Sequence, residues 1–252
     1  MSLNTDRKKY SDVVRKAKSA RKEPYGNEKI KYAPCEIWLN GDQINLWTYW
    51  QGYQLDDIDN KGVDIMLVGQ DWGNPNAEKN SEVCRRIREI QAGSKMMRYL
   101  ATDSPTDRNL TKLFMSFGNH MDITKPDPGM RLFFTNYSLG YRTESETGGM
   151  TKSLMSKDKD FFEELVSAIN PKIIICLGKI TYEMVSGESA KDFVKTLRCG
   201  NPFRSTLPSN PDIIVYGVAH CGVRGSSNVG GIENMRRAWD RIAKEYYERI
   251  KA

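Results

Sequence analysis

The sequence predicts an α/β protein of three α/β/α layers with a central four-stranded parallel sheet. Four apolar runs, near residues 63–68, 131–135, 172–177 and 212–218, are short and rich in β-branched or long apolar side chains, as strands buried on both faces are. Stretches with apolar residues at helical spacing separate them, and that alternation specifies parallel strands joined by right-handed crossovers. All four C-terminal strand ends then fall on one edge, where loops and helix N-termini converge and ligands bind.

Residues 1–58 read as a basic N-terminal helix followed by an aromatic segment, packed on the core, and residues 59–252 as the α/β domain. The helix is expected over 10–22, with Ser11 as N-cap and Val13, Val14, Ala17 and Ala20 on one side. Residues 1–32 hold ten Lys and Arg against four Asp and Glu, which accounts for the whole net charge of +6. Such an arm suits phosphate binding through counterion release, and equally a solvated basic terminus. In the aromatic segment, Asn40-Gly41 between two apolar stretches favours a hairpin. Its tryptophans suit base stacking or the closing of a core edge.

The first strand, 63–68, stops abruptly in Gly69-Gln70-Asp71-Trp72-Gly73, which makes Asp71 a candidate working carboxylate. A polar loop over 72–80 and a helix over 81–91 follow. Asp107 is expected to cap a helix over 108–117. The second strand, 130–136, ends in Asn136, a residue that also closes ordinary strand ends. Residues 137–151 form a long connection near the site. A helix over 159–169 stops at Asn170-Pro171. The third strand, 172–178, carries Cys176 as a small core residue, and helices over 180–185 and 191–197 precede a loop through Pro202, Pro208 and Pro211. The fourth strand, 212–218, delivers His220, residues 222–228 read as a loop, and 231–250 as a terminal helix.

Composition narrows the classes. Charged residues at 28% and hydrophobic ones at 39% suit a globular protein, and neither an apolar run long enough to span a membrane nor a leader is expected. The five cysteines, Cys35, Cys84, Cys176, Cys199 and Cys221, are scattered without a C-x-x-C pair, which argues for free thiols in a reducing, cytoplasmic setting. No metal site and no cofactor is expected.

The strand ends bring Gln70, Asp71, Asn136 and His220 to a common crevice. Val68-Gly69-Gln70-Asp71 resembles the first motif of the uracil-DNA glycosylase superfamily, where a strand ends in Gly-Gln-Asp-Pro-Tyr-His or a relative of it. Asn136 after its apolar run, His220 after the fourth strand, and the pattern of Pro171, strand, Leu177-Gly178 and helix resemble further parts of that superfamily, across roughly residues 60–250. The resemblance implies a uracil-DNA glycosylase-like fold and a metal-free DNA glycosylase of base excision repair. Hydrolysing a base–sugar bond builds positive charge on the sugar and negative charge on the departing base, so a catalyst needs a group for each.

By the resemblance, Asp71 steadies the oxocarbenium-like sugar and orients the attacking water, and His220 donates to the uracil O2. Asn136 reads the base edge, the Gln70 N–H adds to the anion hole, and Trp72 offers a stacking surface. Gly222, Val223, Arg224, Ser226 and Ser227 would contact DNA, with the base flipped out of the stack. The implied partner is single- or double-stranded DNA, bound by a monomer.

This chain departs from the pattern in two places. Trp72-Gly73 stands where the best-known members have Pro-Tyr, so the tyrosine that excludes thymine's methyl is missing and the base is open, uracil or another deaminated or damaged one. Cys221-Gly222 replaces Pro-Ser, and the spacing announces no iron–sulfur cluster. Two other classes stay open: a non-catalytic nucleic-acid or modified-base binder of the same fold, and a hydrolase of free nucleotides or nucleosides. The second calls for a glycine-rich phosphate loop after the first strand, and none is present.

Overall fold

A computed structural model of the chain describes residues 7–20, 25–26, 31–33, 50–51, 62–71, 104–119, 121–125, 128–138, 141–142 and 150–251. Its elements in chain order are α1 Arg7–Ala20, β1 Tyr25–Gly26, β2 Lys31–Ala33, β3 Trp50–Gln51, β4 Ile65–Gly69, α2 Pro105–Phe114, β5 Leu132–Asn136, β6 Tyr141–Arg142, α3 Lys152–Met155, α4 Lys159–Ile169, β7 Ile173–Leu177, α5 Lys179–Ser186, α6 Phe193–Arg198, β8 Phe203–Leu207, β9 Asn210–Val218, α7 Val223–Asn228 and α8 Ile232–Lys251. A 3-10 turn, Met115–Phe117, continues α2.

The principal sheet is mixed, with strand order β3-β5-β4-β7-β9-β8. β5, β4, β7 and β9 run parallel and side by side, while β3 and β8 pair antiparallel at the two edges. A second small sheet joins β1, β2 and β6. Every residue of β4 and β7 is buried, which is why their sequences are apolar without alternation.

Two adjacent phenylalanines show that helices cover both faces. Successive strand residues point to opposite sides. Phe133 meets Tyr10 of α1 edge-on, with ring centroids 6.4 Å apart, and Phe134 stacks on Phe114 of α2 at 5.5 Å. On the Phe133 side, α1 lies on α4: Lys16 pairs with Glu164 and sits 5.4 Å over the Phe161 ring. On the Phe134 side, Phe114 meets Trp239 of α8 at 5.0 Å, with Trp239 fully buried.

At the N-terminal end of the sheet, buried Asp64 ties three elements together. Its Oδ2 accepts from the Arg131 N–H at 2.9 Å, and its Oδ1 from Lys172 Nζ at 2.6 Å and from the Tyr246 hydroxyl at 2.9 Å. Burial and the Asp64 charge push the Tyr246 phenol well above its ordinary range, so it stays a donor. A carboxylate can be buried here because every partner carries a proton to share.

Several boundaries and elements differ from the sequence reading. The expected four-stranded parallel sheet is part of a mixed one. The stretch read as a loop through Pro202, Pro208 and Pro211 contains β8, hairpinned onto β9. Proline suggests a loop, but an edge strand tolerates it at its ends and turn, and the exposure of β8 does alternate. Helix α1 begins at Arg7, so Ser11 lies inside it and Tyr10 is a core residue.

Ser104, not Asp107, caps α2: its side chain accepts from the Asp107 N–H at 3.1 Å, and Pro105 opens the helix. Residues 222–228, read as a loop, form α7 after Gly222. Part of the 137–151 connection is β6, paired with β2. The Asn40-Gly41 hairpin, the 81–91 helix, Cys35 and Cys84 lie outside the described residues.

Replacing Asp64 by Ala would strand a buried hydroxyl, a backbone N–H and a lysine together. We expect it to lower the unfolding free energy by about 3 kcal/mol, read from the urea midpoint at unchanged slope. Asp64→Asn, which keeps the shape and loses the charge, should cost less.

Candidate functional site

Parallel register levels the strand ends. Gly69 at the end of β4 pairs with Asn136 of β5, and Leu177 at the end of β7 pairs with Val218 of β9. The ladder continues past the strands, with the Tyr137 N–H donating to the Gly69 carbonyl at 2.9 Å and the Ser138 N–H to the Gln70 carbonyl at 3.1 Å. The chain passes from β4 to β5 on one side and then across to β7 on the other, so the end of β4 is the topological switch point of the sheet.

Glycine at 69 is what admits Asn136. A Cβ built on Gly69 would lie 2.0 Å from Asn136 Oδ1, so the amide occupies the space a side chain would need and lies over the end of β4. Gln70 and Asp71 follow directly, both half-buried. Between β4 and β9 stands the end of β7, where Gly178 has φ +104° and a built Cβ would meet no atom of the described residues within 4 Å. Asp71, just past β4, and the β9 extension thus stand on either side of the end of β7.

His220 is fixed by backbone. The Gly222 N–H donates to its Nδ1 at 3.0 Å, which makes Nδ1 an acceptor and leaves the ring proton on Nε2. The ring is open to solvent, yet enough protein surrounds it for desolvation to lower its pKa below the ordinary value, while the negative charge of Asp71 pulls it up. Asp71 and His220 thus lie within electrostatic reach of one another, and desolvation wins. A neutral imidazole with an Nε2 proton is an electrophile, suited to hydrogen-bonding an oxygen as negative charge builds on it.

Three residues that sequence reasoning missed hold this segment. Asn109 of α2 donates from Nδ2 to the Cys221 carbonyl at 2.7 Å. Thr106 Oγ1 would lie 3.2 Å from a Cβ on Gly222, so α2's first turn backs the segment. A Cβ on Gly225 would come 1.9 Å from the His220 carbonyl oxygen, so α7 can begin there only because position 225 is bare. The Cys221 thiol is fully buried and pushed well up by that burial, then by Asp107, which leaves it protonated and inert.

Of the other residues read as DNA-contacting, Val223 is 59% exposed, and Arg224 and Ser227 are exposed. Ser226 Oγ donates to the Val223 carbonyl at 3.0 Å within α7. Trp72 lies outside the described residues. A cavity of about 130 Å³, lined by Tyr137, Phe162, Val166, Met184 and Leu207, lies against α4 and α5, with Tyr137 just past the end of β5. Among the described residues no group of three His, Cys, Asp or Glu is placed to hold a metal ion, and no helix is long and apolar enough to cross a membrane.

No known family model matches the chain, and no curated protein is detectably similar to it.

The His220 arrangement is testable without any substrate. With His120→Gln leaving His220 as the one histidine, long-range ¹H–¹⁵N correlation at neutral pH should show the Nε2–H tautomer and a titration midpoint below the ordinary value of about 6.5. The native midpoint lying below the unfolded one, stability should fall as the pH drops through the window between them and level off beneath it. A midpoint above 6.5 would contradict the arrangement. Gly225→Ala should cost roughly 1–3 kcal/mol of stability and shift the His220 signals.

Proposed function

We propose that this protein is a DNA glycosylase of the uracil-DNA glycosylase-like fold, hydrolysing the N-glycosidic bond of uracil or a related deaminated or damaged base. The observation that carries the reading is the placing of Asp71 just past β4 and of His220 just past β9, two strands that flank β7, with the carboxylate's charge reaching the imidazole. Support also comes from the four strands expected for that fold lying parallel and adjacent, with the acid, the amide and the histidine each at or just beyond a C-terminal end. Helices on both faces agree with the same layering.

In this reading the flipped base enters the space above Gly178. Asp71 faces the sugar, where its negative charge stabilises the positive charge that grows as the glycosidic bond breaks, and it orients the attacking water. His220, already neutral and fixed as the Nε2–H tautomer, donates to the base oxygen that becomes anionic. A preorganised donor of this kind is worth about 2.7–4 kcal/mol in the transition state. Asn136 hydrogen-bonds the base edge from the β5 side, held there by the absence of a side chain at Gly69. The Gln70 N–H adds to the same anion hole, and α7 presents Val223 and Arg224 to the DNA.

The deciding experiment is base excision from labelled single- and double-stranded oligonucleotides carrying uracil, hypoxanthine or a thymine mismatch. The parent protein should cleave at one of these lesions. Asp71→Asn and His220→Ala should each lose at least tenfold, about 1.4 kcal/mol or more of transition-state stabilisation. Activity should also fall as the pH drops through the His220 midpoint, because the imidazolium no longer accepts the Gly222 N–H. No excision with DNA binding retained would favour a non-catalytic binder, and neither excision nor binding would favour free nucleotides as ligands.

A further inference from the structure

We propose that Arg198, Arg224 and Arg237 form a platform for the phosphates of DNA on one side of the His220 segment. The proposal rests on the glycosylase reading for the identity of the polyanion. The three residues come from three elements, α6, α7 and α8, and two contacts draw those elements together. Arg198 Nε donates to the Asn228 carbonyl at 2.8 Å, tying the end of α6 to the end of α7. Gly200, just after α6, has a positive φ, and a Cβ there would lie 2.8 Å from Arg237 Cβ and 3.6 Å from Arg237 Nε, so the α8 arginine lies along the α6 turn. Arg224 is four residues before Asn228, which places it on the same side of α7.

These arginines are gathered at one place without acid beside them. Three other cations of the same helix and the adjoining edge strand are paired: Arg204 with Glu245 at 2.7 Å, Arg236 with Asp240 at 4.0 Å, and Lys244 with Glu248 at 3.9 Å. Arg198, Arg224 and Arg237 are all exposed, and none has a carboxylate within ion-pair distance among the described residues. The hydrogen bonds Arg198 and Arg237 do make, to the Asn228 carbonyl and to Asn234 Oδ1, leave the charge uncompensated and other guanidinium N–H groups available. Exposed guanidinium groups held in place by neutral acceptors suit bidentate capture of phosphate oxygens.

Position gives the site its register. α7 is six residues long, about 9 Å at 1.5 Å per residue, and it begins beside the His220 ring. The contact of Arg198 with the far end of α7 therefore stands roughly 9 Å along that helix from the end beside His220. Measured along a duplex axis, at about 3.4 Å per nucleotide of each strand, that length spans two or three nucleotides. Val223 and Arg224 at the near end of α7 face the nucleotides next to the extruded base.

The test is the salt dependence of binding to a fluorescein-labelled duplex of 20 base pairs, followed by anisotropy between about 50 and 200 mM KCl, with excision measured on the same preparations. Arg198→Gln/Arg237→Gln should weaken binding to every sequence alike and flatten the slope of log K against log salt by roughly 2, near 0.9 per lost phosphate contact. Lys244→Gln, on the same terminal helix but in an ion pair, should leave the slope unchanged. Arg224→Gln/Arg237→Gln removes two charges without touching the tie between α6 and α7, and it should flatten the slope as much. Excision by the parent protein with an unchanged slope in both double variants would overturn the platform and keep the glycosylase reading. Binding whose slope depends on these arginines, without excision of any base, would overturn the catalytic reading and keep the platform. No measurable binding by the parent protein would overturn both.

Discussion

The parallel pairing of β4 between β5 and β7 is the constraint on which everything at the candidate site depends. A strand buried on both faces has no freedom of register, because a slip of one residue would exchange every side chain between the two helical layers. Ile65 therefore stands opposite both Leu132 and Ile173, and the ends of the strands come level. Gln70, Asp71 and Asn136 need no loop of their own to meet. The same pairing places Asp64 at the opposite end, where the chain meets Arg131, Lys172 and Tyr246. One strand thus carries a structural carboxylate at one end and a candidate chemical one at the other, distinguished by their partners.

Legibility followed the range of the interactions involved. The four central strands, α4 and α8 could be read because burial on one or both faces writes itself into local composition, and residues such as Phe161, Leu165, Trp239 and Ile242 sit where their spacing puts them. The residues at the strand ends were legible for the same reason, since a buried run that stops in polar residues marks its own end. β8 was missed because an edge strand leaves one side in solvent and tolerates the prolines around it. α7 was missed because six residues rich in glycine and serine form a helix only against the His220 backbone. The Ser104 cap was readable, with Pro105 next and an acidic residue three positions on, but Asp107 drew the assignment instead. Asn109 left no local trace at all, its partner being Cys221 far along the chain.

The histidine is held by main chain more than by side chains, and that changes how robust its state is. The acceptor role of Nδ1 comes from the Gly222 N–H, which no substitution other than proline removes. Asn109 and Gly225 set the path of the segment without touching the ring's reactive edge. Protonation state and orientation are therefore consequences of how α2 and α7 seat the chain after β9. Asp71 acts on the ring as a distant charge, opposing a desolvation that is larger.

Gly178 leaves the floor between the two flanking groups without a side chain. Adjacent strands are about 4.8 Å apart, so β4 and β9, separated by β7 alone, frame a slot of roughly 10 Å between their axes. That width belongs to the sheet rather than to any residue, and the positive φ at 178 disfavours every side chain that could narrow it from below. If the proposed site is the right one, divergence in ligand preference is written on the walls, at positions 70, 136 and 220 and their neighbours. On the proposed reading, a lineage built on this backbone can change which flat ring it accepts far more readily than it can change how large that ring is.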